Sequence, residues 1–289
     1  MGKAAAGETA VLDESEGVTT QMSGAAVSRE HAPVSAVIPC YRCGATVRRA
    51  LESVAAQTVL PSEVILVDDC SADGTVNLLE QIAEEYPDGW VKVISLPANG
   101  GPGLARNRGW DAAAQPYVAF LDADDSWHER KIEIQYGWMK ANPRAILTGH
   151  PSARPRSGEG PLDVKAERVE RLPLLLSNCF SSRSIMFRKE LAVRFDPSRR
   201  YMEDHWWLLQ IVFSGQEIVK LSPTLAFTFK EDFGEGGLSA RLWDMEKGEL
   251  DNYWGLRSTG KLGLLSVVLL SLWSLLKYAR RCIVSALPR

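Results

Sequence analysis

Between Val34 and Leu121 short apolar runs alternate with segments opened and closed by turn residues, and this regular alternation most restricts what the chain can fold into. Val64-Ile-Leu-Val67 and Tyr117-Val-Ala-Phe-Leu121 are near-continuous runs, rich in β-branched and aromatic residues, of the kind that suits strands covered on both faces. The pattern predicts strands over Val34–Ile38, Glu63–Val67 and Trp90–Ser95 and a fourth ending at Leu121, with helices over 45–56, 74–85 and 103–114 between them. Asp73-Gly74, Pro87-Asp88-Gly89 and Asn99-Gly-Gly-Pro-Gly103 mark the boundaries. Such alternation predicts an α/β fold built on a doubly wound, mostly parallel sheet.

Two of the predicted strands end in acid: Val67-Asp68-Asp69 and Leu121-Asp122-Ala123-Asp124-Asp125. In an open α/β sheet the carboxyl ends of the strands border the ligand crevice. Carboxylates collected there imply a metal ion or a sugar hydroxyl. A dinucleotide is disfavoured, because the glycine run at 99–103 follows the third strand instead of the first and lacks the final glycine of the fingerprint. No G-K-[ST] phosphate loop occurs in the chain.

A length of 289 residues with 45% apolar content provides for one sizeable domain plus additions. A formal net charge of -3 argues against a nucleic-acid partner, which calls for a basic face. Five cysteines, without a secretory signal, predict a reducing cytoplasmic setting. Cys40 and Cys43 are spaced as a redox pair, as half of a zinc site, or as two plain thiols in a loop. Residues 1–33 lack apolar periodicity and are predicted to form a disordered tail.

Five ordered segments resemble one known family. Val37-Ile-Pro-Cys-Tyr41, Ser53-Val-x-x-Gln57-Thr58, Glu63-Val-Ile-Leu-Val-Asp-Asp-Cys-Ser-x-Asp-Gly-Thr75, Asn99-Gly-Gly-Pro-Gly-x-Ala-Arg-Asn-x-Gly109 and Phe120-Leu-Asp-Ala-Asp-Asp125 are similar to the successive signatures of family 2 glycosyltransferases. The resemblance spans about residues 34–240. It implies the GT-A fold and inverting transfer of a sugar from a nucleotide diphosphate donor, UDP by family habit. The implied organisation is a 34–240 catalytic domain, with a nucleotide-binding half over 34–125 and an acceptor half over 126–240, followed by a helical, membrane-associating extension over 241–289.

The resemblance also implies roles for single residues. Pro39 and Tyr41 line the nucleotide base, and Asp69 accepts a hydrogen bond from it, as an ionised carboxylate can. Asp68 braces the turn or shares that task, and Asp73 with Thr75 caps the next helix. Cys70 stands where the family more often has glycine. Arg106 reaches the nucleotide or its phosphates, the alternative being a solvated helix arginine. Asn99 contacts the donor or simply forms the turn. Asp122-Ala123-Asp124 is the D-x-D element, Asp122 for ribose and Asp124 for a divalent Mn²⁺ or Mg²⁺ that neutralises the departing diphosphate. Asp125 is expected to back it up. In Tyr201-Met-Glu-Asp-His-Trp-Trp207, Asp204 is assigned as general base, with Glu203 next and His205 third. One of Trp206 and Trp207 is expected in the core, the other against it or on a sugar ring.

Residues 143–180 are the least family-like and are expected to face the acceptor. The glycines of Phe233-Gly-Glu-Gly-Gly-Leu-Ser239 suit either a loop closing over the donor or a plain surface loop. The uncharged segment 262–276 would measure about 22 Å as a helix, short of a roughly 30 Å hydrocarbon core. Cationic flanks at Lys261, Lys277, Arg280 and Arg281 suit a helix lying on the inner face of the cell membrane, over residues 262–281. A buried core helix, a homodimer face and a spanning helix are the alternatives. Membrane placement favours a glycan or lipid-linked acceptor. Transfer to polyprenyl phosphate and a catalytically silent sugar-nucleotide-binding subunit remain as other readings.

Overall fold

The computed structural model describes Met1 and residues 29–155, 162–229 and 241–286. Its first half follows the predicted alternation: β1 (His31–Cys40), α1 (Val47–Ala55), β2 (Leu60–Asp68), α2 (Thr75–Glu84), β3 (Val91–Ser95), α3 (Gly101–Ala112) and β4 (Tyr117–Phe120). β1 starts at His31, ahead of the expected Val34, because its first residues pair with Leu60 and Pro61 of an equally extended β2. The expected tail over 1–33 is therefore too long by that stretch, and residues 2–28 lie outside the described residues.

After β4 come β5 (Asp125–Trp127), α4 (Lys131–Ala141), β6 (Ala145–Gly149), β7 (Ser152–Ala153), β8 (Ala166–Arg168), α5 (Arg171–Leu176), β9 (Met186–Arg188), α6 (Glu203–Phe213), β10 (Glu217–Leu221), β11 (Ala226–Thr228), α7 (Leu242–Ser258) and α8 (Leu264–Ala286). The central sheet runs β3-β2-β1-β4-β9-β6-β10-β8, with a small second sheet β5-β11-β7. The pairs among β1 to β4 are parallel, as is β6 with β10. β9 departs from the alternation. It lies antiparallel between β4 and β6 and joins the two halves into one sheet.

Side-chain alternation divides the core between the two faces of that sheet. Val37, Ile65, Val67, Val118 and Phe120 pack with α3 and α6, whereas Ala36, Ile38, Val64, Leu66 and Ala119 pack with α1, α2 and α4. The chain thus builds outward from β1 to β3 on one face, and α3 carries it back across the other face to β4 beside β1. That reversal creates the crevice between the carboxyl ends of β1 and β4. Gly109 lets α3 lie directly on the sheet, since a Cβ there would sit 2.3 Å from Val37 Cγ1.

At the C-terminal end, α8 extends well beyond the uncharged segment foreseen, and Val267, Leu270 and Ser274 are buried along one stripe. Two ion pairs continue the stripe, Lys277 Nζ to Glu249 Oε1 at 2.6 Å and Arg281 Nη2 to Glu246 Oε2 at 2.7 Å, both onto α7. The three- and four-residue spacing is that of a helix packed along one line. Among the described residues no helix is long and apolar enough to cross a membrane, so the spanning alternative finds no support.

Candidate active site

The carboxyl ends of β1 and β2 bring the first acidic cluster against the turn that opens α3. Asp68 is fully buried and accepts a hydrogen bond from Ser71 N at 3.0 Å, the bracing alternative. Asp69 Oδ1 accepts from Gly100 N at 2.8 Å, and Oδ2 accepts from Gly101 N at 2.8 Å and from Asn99 Nδ2 at 2.9 Å. Its charge thus meets the amino end of α3, where orphan amides favour an anion. Burial pushes the Asp69 carboxyl up, against the Gly100 and Gly101 amides. Asn99 Oδ1 in turn accepts from Arg200 Nη1 at 3.2 Å, so Asn99 ties the turn to Asp69. Thr75 N and Oγ1 donate to Asp73, as expected of a helix start. Cys70 has φ +57°, which explains why glycine suits this position. Tyr41 projects into solvent at 45% exposure, with half-buried Pro39 beneath it at the end of β1.

Arg106 is not a solvated helix arginine. It is 5% exposed and bridges two acidic elements: Nη2 donates to Asp122 Oδ1 at 2.9 Å and Nη1 donates to Glu203 Oε1 at 2.8 Å. Both arms of the fork are engaged by carboxylates in this structure. Burial works against the Arg106 charge, but Asp122 and Glu203 outweigh it and raise its pKa. Burial, with Asp204 alongside, pushes Glu203 up to about 7 against the pull of Arg106. The D-x-D and E-D elements, far apart in sequence, are therefore tied through one guanidinium.

A second arginine, which the motifs did not single out, closes the other side. Arg183 Nε lies 2.5 Å from Asp125 Oδ2 and 3.8 Å from Asp122 Oδ2. Asp125 is 1% exposed, and burial with Asp122 nearby pushes it up to about 7 despite Arg183. It supports the D-x-D turn from inside. Ala123 is buried and Asp124 half-buried between these two, and Arg49 Nη2 donates to the Asp124 carbonyl at 2.6 Å.

Asp204 borders a cavity of about 520 Å³ together with Asn178, Phe180, Ser181, Ser152 and Lys220. Its Oδ1 accepts from His205 N at 2.7 Å and its Oδ2 from Asn178 Nδ2 at 3.2 Å. The Asn178 amide is oriented in turn, since Oδ1 accepts from Phe180 N at 3.2 Å. The cavity draws on both ends of the stretch 143–180, where the acceptor was expected. Met202, just before the E-D pair, has φ +55°, an uncommon backbone state for a side-chain-bearing residue. Neighbouring α7 supports it: Asn252 Nδ2 donates to the Met202 carbonyl, and Gly248 leaves room where a Cβ would come within 2.7 Å of the Tyr201 carbonyl.

Two further expectations change. His205 is fully buried with Nε2 donating to the Leu174 carbonyl at 2.8 Å, and burial pushes its pKa down, so it faces the core and not the crevice. Trp206 and Trp207 are both buried; Trp207 stacks on Phe195 at 4.4 Å and Arg199 covers Trp206 at 4.3 Å, so neither meets a sugar ring. Cys40 and Cys43 are free thiols, as the plain-thiol alternative has it, and both are buried. The loop 233–239 lies outside the described residues.

The end of α5 links these parts. The Leu174, Leu175 and Leu176 carbonyls, unsatisfied within so short a helix, accept from His205 of α6, Tyr253 of α7 and Lys277 of α8 respectively. Asn178, which holds Asp204, follows directly. Among the described residues no group of three or more His, Cys, Asp or Glu side chains forms a metal cage. A diphosphate-bound Mg²⁺ or Mn²⁺ needs only one or two carboxylates, and Asp124 beside Asp122 supplies hard oxygen donors of that kind. The residues fit such an ion.

Solved structures share this arrangement of sheet and helices. TarS of S. aureus in complex with UDP-GlcNAc aligns with TM-score 0.62 at 22% identity over 77% of this chain and 66% of that one. The mannosyltransferase PcManGT from Pyrobaculum calidifontis, in complex with GDP-Man and Mn²⁺, aligns with TM-score 0.60 at 17% identity over 89% and 76%. At such identities the likeness is one of fold, and with the crevice it defines a GT-A protein. The family model of glycosyl transferase family 2 matches residues 35–208, and the chain belongs to that family. The succinoglycan biosynthesis protein ExoO of Rhizobium meliloti (strain 1021) is 34% identical over 201 residues, 67% of this chain and 56% of its own length. The poly(ribitol-phosphate) beta-N-acetylglucosaminyltransferase TarP of Staphylococcus aureus (strain N315) is 26% identical over 193 residues, 63% of this chain and 58% of its own. The chain spans little more than half the length of these curated relatives.

Proposed function

We propose that the chain transfers a glycosyl unit from a nucleotide diphosphate sugar, UDP-linked in the first instance, to a hydroxyl of a cell-surface glycan or lipid-linked acceptor, with inversion. The observation that carries this reading is Arg106, which holds Asp122 of the donor element and Glu203 beside the base in one cluster. The complex of TarS with UDP-GlcNAc supports the donor class, and the relatives' names support a surface polysaccharide.

In this reading Tyr41 and Pro39 flank the nucleotide base. Asp69 Oδ1 has one amide partner and retains capacity for a base N–H. Asp122 and Ala123 meet the ribose, with Asn99 shaping the turn. Asp124 would hold the divalent ion, which when bound neutralises charge gathering on the leaving diphosphate. Asp204 takes the proton of the acceptor hydroxyl as that oxygen attacks the anomeric carbon from the face opposite the phosphate. The carbon–oxygen bond to phosphate breaks and its electron pair leaves with UDP. Asn178 and the His205 amide keep the Asp204 carboxylate aimed at the cavity.

The same reading places α8 on a membrane surface. Leu265, Leu269, Leu272, Leu276 and Ile283 form an exposed apolar stripe opposite the packed one, each at least 55% exposed. Trp273 lies beside it, and Lys261 and Arg280 are exposed near its ends. Apolar stripe, interfacial tryptophan and flanking cations suit the anionic inner face of a cell membrane.

The test is a panel of nucleotide sugars assayed with membrane extract and Mn²⁺. Asp204→Asn should keep donor binding and lose transfer by about 10² to 10⁴-fold. Asp124→Asn should abolish the metal dependence. Unchanged transfer in either variant refutes that residue's role.

A further inference from the structure

The cavity beside Asp204 contains a charge that the transfer chemistry does not use. Lys220 lies on β10, where Val219 and Leu221 face one side of the sheet and Ile218 faces α6 on the other. By alternation Lys220 shares the α6 side and reaches the cavity wall. It is half-buried, and its ammonium forms no hydrogen bond or ion pair with any described residue, the carboxylate of Glu167 opposite it on β8 included. Among the described residues Asp204 is the one carboxylate lining the cavity, and Asn178 and the His205 amide already engage it.

We infer that this cavity takes an acceptor carrying an acidic group, carboxylate or phosphate, and that Lys220 is the residue that recognises it. The inference rests on Asp204 being the base. With the reacting hydroxyl at Asp204, an anionic substituent placed elsewhere on the same acceptor avoids that carboxylate and meets the ammonium. A half-buried ammonium without a counter-ion among the described residues is costly, and an arriving anion satisfies it. The remaining wall suits a sugar: Ser152 and Ser181 offer hydroxyls, while Phe180 and Met245 offer apolar surface. The volume, about 520 Å³, falls within the roughly 300–1,000 Å³ of small-molecule sites. Lysine acts on either anion as a point charge, so it distinguishes charge before shape.

Binding of three probes to the UDP- and Mn²⁺-loaded protein tests this: methyl glucoside, methyl glucuronide and α-glucosyl phosphate. At least one charged probe should bind about tenfold or more tighter than the neutral one, as a charge-assisted contact implies. The tighter of the two identifies carboxylate or phosphate as the source. Lys220→Gln should remove that preference while leaving methyl glucoside where it was, and Lys220→Arg should restore most of it. UDP titration of the Lys220→Gln protein reports whether its donor half is folded. Equal binding of all three probes, failure of all three to bind, or an unchanged preference in Lys220→Gln overturns the inference. So does a variant altered only in the pH profile of transfer, which would make Lys220 a modulator of Asp204. Absence of UDP binding and donor hydrolysis in the unaltered protein would refute the transferase reading instead.

Discussion

Replacing Arg106 with methionine separates two roles that sequence motifs cannot distinguish, a ligand of the donor phosphates and a clamp between acidic elements. Methionine keeps most of the apolar volume against Phe195 and removes both ion pairs. Asp122 retains Arg183 at 3.8 Å, so Glu203 is the carboxylate left stranded. Removing one partner of a buried pair costs about 3–5 kcal/mol. In a domain of this size that lowers the melting temperature by roughly 6–20 °C. The loss should depend on pH. Glu203 already titrates at about 7 in the folded protein, above its ordinary 4.5, and without Arg106 it rises further. A carboxyl raised on folding favours the folded state at low pH and loses that contribution as pH rises through the folded value. The deficit of Arg106→Met should therefore be small near pH 5 and grow as pH rises above about 7, by about 1.4 kcal/mol per pH unit until the higher pKa of the variant is passed. Thermal melts near pH 5 and at about pH 8, each with a UDP titration, decide the matter. A variant that melts like the original protein at both pH values but has lost UDP affinity would refute the clamp and restore the phosphate-ligand role.

Two other expectations follow from the same geometry. Asp125 is raised to about 7 by burial and Asp122, so its contribution to stability should fall as pH rises from about 4 to 7, by up to about 4 kcal/mol; Asp125→Asn should flatten that part of the stability–pH curve, and an unaltered curve would show that Arg183 keeps Asp125 ionised throughout. Placing glutamate at both Leu269 and Leu272 should abolish flotation with phosphatidylglycerol-containing vesicles and leave donor hydrolysis unchanged, whereas a wild-type dimer dissociated by the same substitutions would identify the stripe as a subunit interface.

The donor half was legible in the chain because its signals are local. Buried strands such as Val64–Val67 and Tyr117–Phe120 are continuous apolar runs, and the acids after them must emerge at strand ends whatever else happens. The acceptor half was much less so. β9 is three residues long and antiparallel, and its place between β4 and β6 depends on pairing with strands distant in sequence. No period in a segment that short specifies a partner. Asn178 and Arg183 lie in the irregular stretch around it, so no motif marked them.

Local pattern therefore established the α/β order, the acidic turn at 122–125 and the acidic start of α6, because each depends on neighbours within a few residues, whereas the reversal at β1 and β4 came from strand pairing. Tertiary packing decided which charges face the crevice and which are held inside. Arg106, an apparent phosphate ligand, became the link between Asp122 and Glu203; His205 turned to the α5 carbonyl; Lys277 and Arg281 paired with α7 and left the leucines of α8 outward. The physical reason is the cost of burying charge. A buried ionic group needs a partner within a few ångströms, and partners at that distance come from elements brought together only when the sheet closes.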